Sequence, residues 1–128
     1  MNDSRDPTRH LPLAPHAFQI LLALLDEDRH GYAVIKEVEA RTGGKTVLGT
    51  STVYAAIKRM VNDGLLVDVP APPGEASAGP RRRYYRITKF GRQVARAEGA
   101  RIAELHELAE RSSLGAHRAS AATGEGVA

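Results

Sequence analysis

The chain has 128 residues, 42% of them hydrophobic, which is enough for one domain around a modest core. It contains no cysteine, so disulfides, zinc–thiolate sites and thiol catalysis are excluded. The formal net charge is only +3, but Arg81, Arg82, Arg83, Arg86, Lys89, Arg92, Arg96 and Arg101 face the single acid Glu98 between positions 81 and 101, the footprint of a surface that meets phosphate.

Residues 1–13 mix charges with Pro7 and Pro12 without periodicity and read as a flexible arm. A first helix is expected over residues 15–26, with Pro15 suited to its first turn. Phe18, Leu21, Leu22 and Leu25 form one stripe, and Ile20 and Leu24 lie opposite. A helix apolar all round is buried all round; in so small a domain Ile20 and Leu24 are therefore assigned to an interface with a second subunit. The apolar run from Ala17 is closed by Asp26-Glu27-Asp28, too soon to span a bilayer. With no signal-peptide pattern before it, the reading is a cytoplasmic protein with no membrane partner.

A second helix is expected over residues 31–42, with Ile35 and Val38 inward and a stop at Gly43-Gly44. Thr46-Val47-Leu48 is β-prone. The third helix starts near Thr50, capped by Thr50 or Gly49, and ends at Gly64. Its apolar positions Val53, Ile57, Met60 and Val61 fall at i, i+4, i+7 and i+8. That stripe turns Ser51, Ala55, Lys58 and Asn62 outward, with Tyr54 and Arg59 on the flanks. Small hydrogen-bonding residues near a helix start, followed by cations, suit a major groove. Ser51 or Thr52 would meet a base edge or a phosphate, Ala55 a thymine methyl, and Lys58 and Arg59 phosphates. The same pattern on its own also describes an ordinary amphipathic helix with a solvated face. Tyr54 weighs against that, since its ring can pack at a groove edge while its hydroxyl reaches a phosphate.

The period then switches to two. Leu65, Val67 and Val69 alternate with Leu66 and Asp68 as in a half-buried strand. Residues 70–80, with Pro-Pro-Gly and Gly-Pro, form a loop. A returning strand turns Tyr85 and Ile87 inward and Arg82, Tyr84 and Arg86 outward, with Arg81 at the tip. Arg81, Arg82 and Arg83 would lie along a minor groove or the backbone beside it. Thr88 is the N-cap of a last helix reaching about residue 113. Its stripe of Val94, Ala97, Ile102, Leu105, Leu108 and Ala109 has little to pack on within one chain, so it is expected to dimerise against the partner's first helix, with Ile102, Leu105 and Leu108 at the interface. Residues 114–128, rich in Ala, Ser, Gly and Thr, read as a disordered tail.

The fold class is therefore mainly α with a small β-hairpin. A winged helix-turn-helix spans residues 14–88, and a dimerisation helix spans 89–113. The five histidines are scattered, no nucleophile–base pair stands out, and neither a metal, a cofactor nor catalysis is expected. The leading reading is a regulator of double-stranded DNA. The alternative is a winged-helix module that docks an acidic protein partner, against which stands the absence of acids from Ser51 to Arg59.

Four segments in order carry a resemblance to the PadR family of bacterial transcriptional regulators. They are His30-Gly31-Tyr32-Ala33-Val34-Ile35, Gly49-Thr50-Ser51-Thr52-Val53-Tyr54, Asn62-Asp63-Gly64-Leu65-Leu66 and Arg82-Arg83-Tyr84-Tyr85-Arg86-Ile87-Thr88-Lys89-Phe90-Gly91. Together they cover about residues 15–112. The resemblance implies a homodimeric repressor on an inverted-repeat operator, with Thr52 and Tyr54 at the family's recognition-helix positions and Arg82 and Arg83 on its wing. A single helix after the wing is similar to the family's short members. Many relatives release DNA on binding a phenolic or other hydrophobic compound, which makes a small hydrophobic effector an implied partner. Two departures stand out. There is no tryptophan, on which some short members stack ligands, and Gly49-Thr50 replaces a frequent Ser-Pro.

Overall fold

The structure, a computed structural model, describes residues 5–74, 83–112 and 114. Four helices carry it: α1 (Pro15–Ala23), α2 (Gly31–Arg41), α3 (Thr50–Asn62) and α4 (Lys89–Glu110). Three strands, β1 (Arg29–His30), β2 (Leu66–Val69) and β3 (Tyr84–Ile87), form one antiparallel sheet in the order β1-β3-β2. The architecture is the expected winged helix.

α1 is the middle helix, with α2, α3 and α4 all packed on it. This overturns one assignment. Ile20 and Leu24 are 0% and 2% exposed within the single chain, so they are core residues and cannot meet a partner. The inference that both faces of α1 are covered holds; the first half of α4, through Phe90, Val94 and Ala95, belongs to the same core. A Val, Leu, Ile or Phe side chain buried in this way stabilises by about 1.5–3 kcal/mol. α1 also stops earlier than its hydrophobicity suggests, at Ala23, whose carbonyl accepts from Arg29 Nε at 2.7 Å.

The arm is folded over residues 5–13, contrary to expectation. Asp6 caps a 3-10 helix at Pro7–His10 by accepting from the Thr8 N–H at 3.0 Å. The Arg5 guanidinium lies 4.2 Å from the centre of the Phe90 ring and donates to the Asp63 carbonyl at 2.9 Å. The His10 ring meets Phe90 edge-on at 5.4 Å. Leu11 and Leu13 pack on the core, and the Leu13 N–H bonds the Glu98 carboxylate.

α3 ends as its Asn62-Asp63-Gly64 sequence dictates. Gly64 adopts φ +80°, the Leu65 N–H reaches the Met60 carbonyl at 2.8 Å, and the Gly64 N–H reaches Val61 at 3.1 Å. This double-bonded glycine stop satisfies carbonyls that the helix leaves open. It also resets the strand phase. Leu65 and Leu66 are both buried and Val67 is exposed, so the simple alternation read from the sequence is displaced.

β3 departs likewise. Tyr84 is buried instead of facing out, because β1 adds a third strand with His30 opposite Tyr84 and Arg29 opposite Tyr85. His30 packs edge-on against the Tyr84 ring at 5.2 Å. Thr46-Val47-Leu48 forms no strand. Thr88 caps α4 as expected, accepting from the Gly91 N–H at 2.9 Å, a contribution of about 1 kcal/mol. The expected tail lies outside the described residues except at Leu114, which is exposed.

Candidate nucleic-acid interface

α3 buries Val53, Ala56, Ile57 and Met60. The residues its stripe turns outward, Ser51, Thr52, Tyr54, Ala55, Lys58 and Arg59, are all exposed. No acid lies among them. Gly49 stands at the N-cap of α3 and, having no side chain, makes no cap bond, so the N–H groups of the first turn are not capped by it. Such an end favours an approaching anion.

Tyr54 is 44% exposed, and one side of it is covered by α2. Its ring lies on the backbone of Gly31, the first residue of α2, so closely that a Cβ at position 31 would overlap the ring. The helix pair is thus keyed together beside the exposed face. Burial, and behind it the Asp68 carboxylate, push the Tyr85 hydroxyl above the usual phenol range.

The wing stands against the same face. Tyr54, Lys58 and Asn62 of α3 line a cleft of about 310 Å³ with Asp68, Arg83 and Tyr85 of the hairpin. Arg83 is exposed at its mouth and pairs with Asp68 at 3.0 Å. Arg81 and Arg82 lie outside the described residues.

The basic run is only partly free to meet a ligand. Arg86 grips Asp28 through two bonds of 2.9 and 3.0 Å, and Arg101 grips Glu98 at 2.7 and 2.8 Å. Arg92 donates to the Leu25 carbonyl at 2.8 Å. These cations knit the domain together, and linear charge density could not tell them from the outward ones. A larger hollow, of about 650 Å³, is lined by Asp26, Glu27, Asp28, Arg29 and His30, and its acids are held by Arg41, Arg29 and Arg86.

The outer half of α4 leaves Ile102, Leu105 and Leu108 exposed by 41%, 52% and 57%. The structure thus separates the five residues assigned to a subunit interface: three are accessible, and Ile20 and Leu24 are not. Among the described residues no group of three His, Cys, Asp or Glu side chains could hold a metal, and no helix is long and apolar enough to cross a membrane. Sequence reasoning missed Gly31 as the seat of Tyr54, and Asp68 as the partner of Arg83. The first had no signal beyond a glycine opening a helix; the second had one, an acid at the outward phase of a strand facing a basic strand.

Residues 20–97 match the model of the family described as Transcriptional regulator PadR-like family. An uncharacterised protein of Lysinibacillus sphaericus is 32% identical over 89 residues, covering 70% of this chain and 79% of its own length. A PadR family transcription regulator of Clostridium difficile superposes with a TM-score of 0.59 at 26% identity, over 73% of this chain and 95% of that one. Bacillus subtilis PadR in complex with operator DNA gives 0.57 at 19% identity, over 67% of this chain and 47% of that one. The chain thus matches about half of that protein's length, and at this identity the likeness is one of fold.

Proposed function

This chain belongs to the PadR-like family of transcriptional regulators, and from that premise we propose that it is a homodimeric repressor of an inverted-repeat operator. The observation that carries the reading is the acid-free face of α3, keyed by Tyr54 to Gly31 and flanked by the wing. In it, α3 enters the major groove. Ser51, Thr52 and Ala55 meet base edges, and Tyr54, Lys58 and Arg59 meet the backbone beside them. Arg81, Arg82 and Arg83 supply affinity that is blind to sequence. The DNA-binding unit, expected over residues 14–88, takes in the first half of α4 as well, through Phe90, Val94 and Ala95, so that of the expected dimerisation helix, 89–113, the part from Ile102 onward is left for a partner.

Since Ile20 and Leu24 are spent in the core, the subunits meet through Ile102, Leu105 and Leu108 against the partner's own copy of that helix. A two-fold dimer then sets its recognition helices about 34 Å apart, one turn of DNA. The proposal extends to release by a small hydrophobic effector held at that aliphatic interface. Without tryptophan, stacking of flat drugs there is not part of it. Acting on chromosomal DNA places the work in the cytoplasm.

The test is a titration of the DNA upstream of its own coding region. The slope of log K against log salt should lie at roughly −5 to −9 if six to ten phosphates are neutralised. Lys58→Ala, which removes one contact from each subunit, should weaken binding and shallow that slope by about two. Tyr54→Ala should weaken binding with the fold retained. Binding insensitive to salt, or to both substitutions, overturns the reading.

A further inference from the structure

The cleft between α3 and the wing has one acid in its lining, and it sits where a phosphate contact is expected. Asp68, on β2, places Oδ2 3.0 Å from Nη1 of Arg83, just ahead of β3. Lys58 and Arg83 are the cations of the same lining. Both partners of the ion pair are exposed, the Arg83 side chain by 71% and that of Asp68 by 48%.

Such a pair adds little to folding, since water screens it and two side chains must be held in one geometry. Strand pairing does not need it either. The β2–β3 register runs from Leu66 opposite Ile87 to Val69 opposite Tyr84, with Leu66, Tyr84 and Ile87 all buried. Its effect falls on whatever comes to the guanidinium. A phosphate oxygen seeks the same Nη donors and carries the same charge as the carboxylate. To bind, it must take Arg83 from Asp68 and then sit close to the acid it displaced.

We infer that Asp68 is a built-in competitor for the DNA phosphate: it holds Arg83 in the free protein, yields it on binding, and so sets how tightly the wing grips any DNA. This rests on the α3–wing face being the DNA-binding face. Because Arg83 meets backbone and not bases, the competition weakens operator and random DNA by the same factor. It leaves discrimination untouched and shortens the time spent on wrong sites. A protein whose every wing cation was free would be held by bulk DNA.

Asp68→Asn keeps the shape of the side chain and removes its charge. The probe is a mixed-sequence duplex long enough for both wings, followed by fluorescence anisotropy with the full chain. Asp68→Asn should tighten binding about 3- to 10-fold for two wings, with thermal unfolding little changed. The gain should be equal on the upstream DNA used above. Arg83→Ala should weaken binding, and adding Asp68→Asn to it should recover little, since the phosphate no longer comes to that corner. Unchanged or weaker binding by Asp68→Asn overturns the proposal, and so does an equal gain in the Arg83→Ala background. If Arg83→Ala itself has no effect, it is Arg83's contact with phosphate that fails, and the competitor with it, whether or not the rest of the wing meets DNA.

Discussion

A methyl group at position 31 would displace a ring. Its carbon would sit inside the contact distance of the Tyr54 ring and hydroxyl, so Gly31→Ala must swing the ring outward or part α2 from α3. Because the ring is 44% exposed and free to swing, the expected cost by urea denaturation is below about 1 kcal/mol, less than for an overpacked core. DNA binding should weaken alongside, and pairing the change with Tyr54→Ala should recover the stability but not the binding. Much at this scale was legible. The stripe of Val53, Ile57 and Met60 fixed which residues of α3 point outward, because a helix has only one phase. What an outward ring rests on was not legible, for that depends on another helix's backbone. Nor was charge pairing: Arg83, Arg86 and Arg101 look alike in sequence, and only the fold brings Asp68, Asp28 and Glu98 to them.

At the scale of elements, α4 has two lives. Spanning 22 residues, it is about 33 Å long. Phe90, Val94 and Ala95 close the core, and from Ile102 onward its apolar positions face out. Leu105→Glu with Leu108→Glu should therefore leave the fold and its helix content intact while shifting the protein to monomers in sedimentation. DNA affinity should fall sharply, because two half-sites would be bound independently. Truncating Ile20 or Leu24 to Ala should do the opposite, costing about 2–5 kcal/mol of stability without a specific effect on assembly. The helix order and the hairpin were readable from periodicity. The two-residue β1 was not, being too short to carry a pattern, and with it went the burial of Tyr84. The surplus apolar face of α1 was seen correctly and given the wrong cover, since sequence does not say whether a helix's neighbour belongs to its own chain.

Across the whole molecule, the arm ties the C-terminal end of α3 to both ends of the buried half of α4. Arg5 bridges the Asp63 carbonyl and the Phe90 ring, and Leu13 reaches Glu98. Glu98 is 2% exposed. Its bonds from Arg101, outweighing the opposing effect of burial and helped by the Leu13 N–H, hold its carboxyl below the ordinary 4.5. The unfolded chain therefore takes up this proton first as the pH falls below 4.5. The stability Glu98 confers is complete above that value and is lost as the pH drops through its depressed folded value. Glu98→Gln should cost about 1–3 kcal/mol at neutral pH and flatten the acid limb of a stability–pH curve measured by urea melts. An unchanged acid limb would remove Glu98 from this role.

The strap also has a place in time. On the ribosome the arm emerges well before α4, yet its seat is Phe90 and Glu98, so it waits through the synthesis of everything it encloses. Until those residues arrive, the flank of α1 that α4 covers is bare to solvent, and closure joins distant parts of the chain in one late, non-local step. A message truncated before position 98 would release a chain with the whole α3–wing face and no seal, its apolar core surface left open to aggregation.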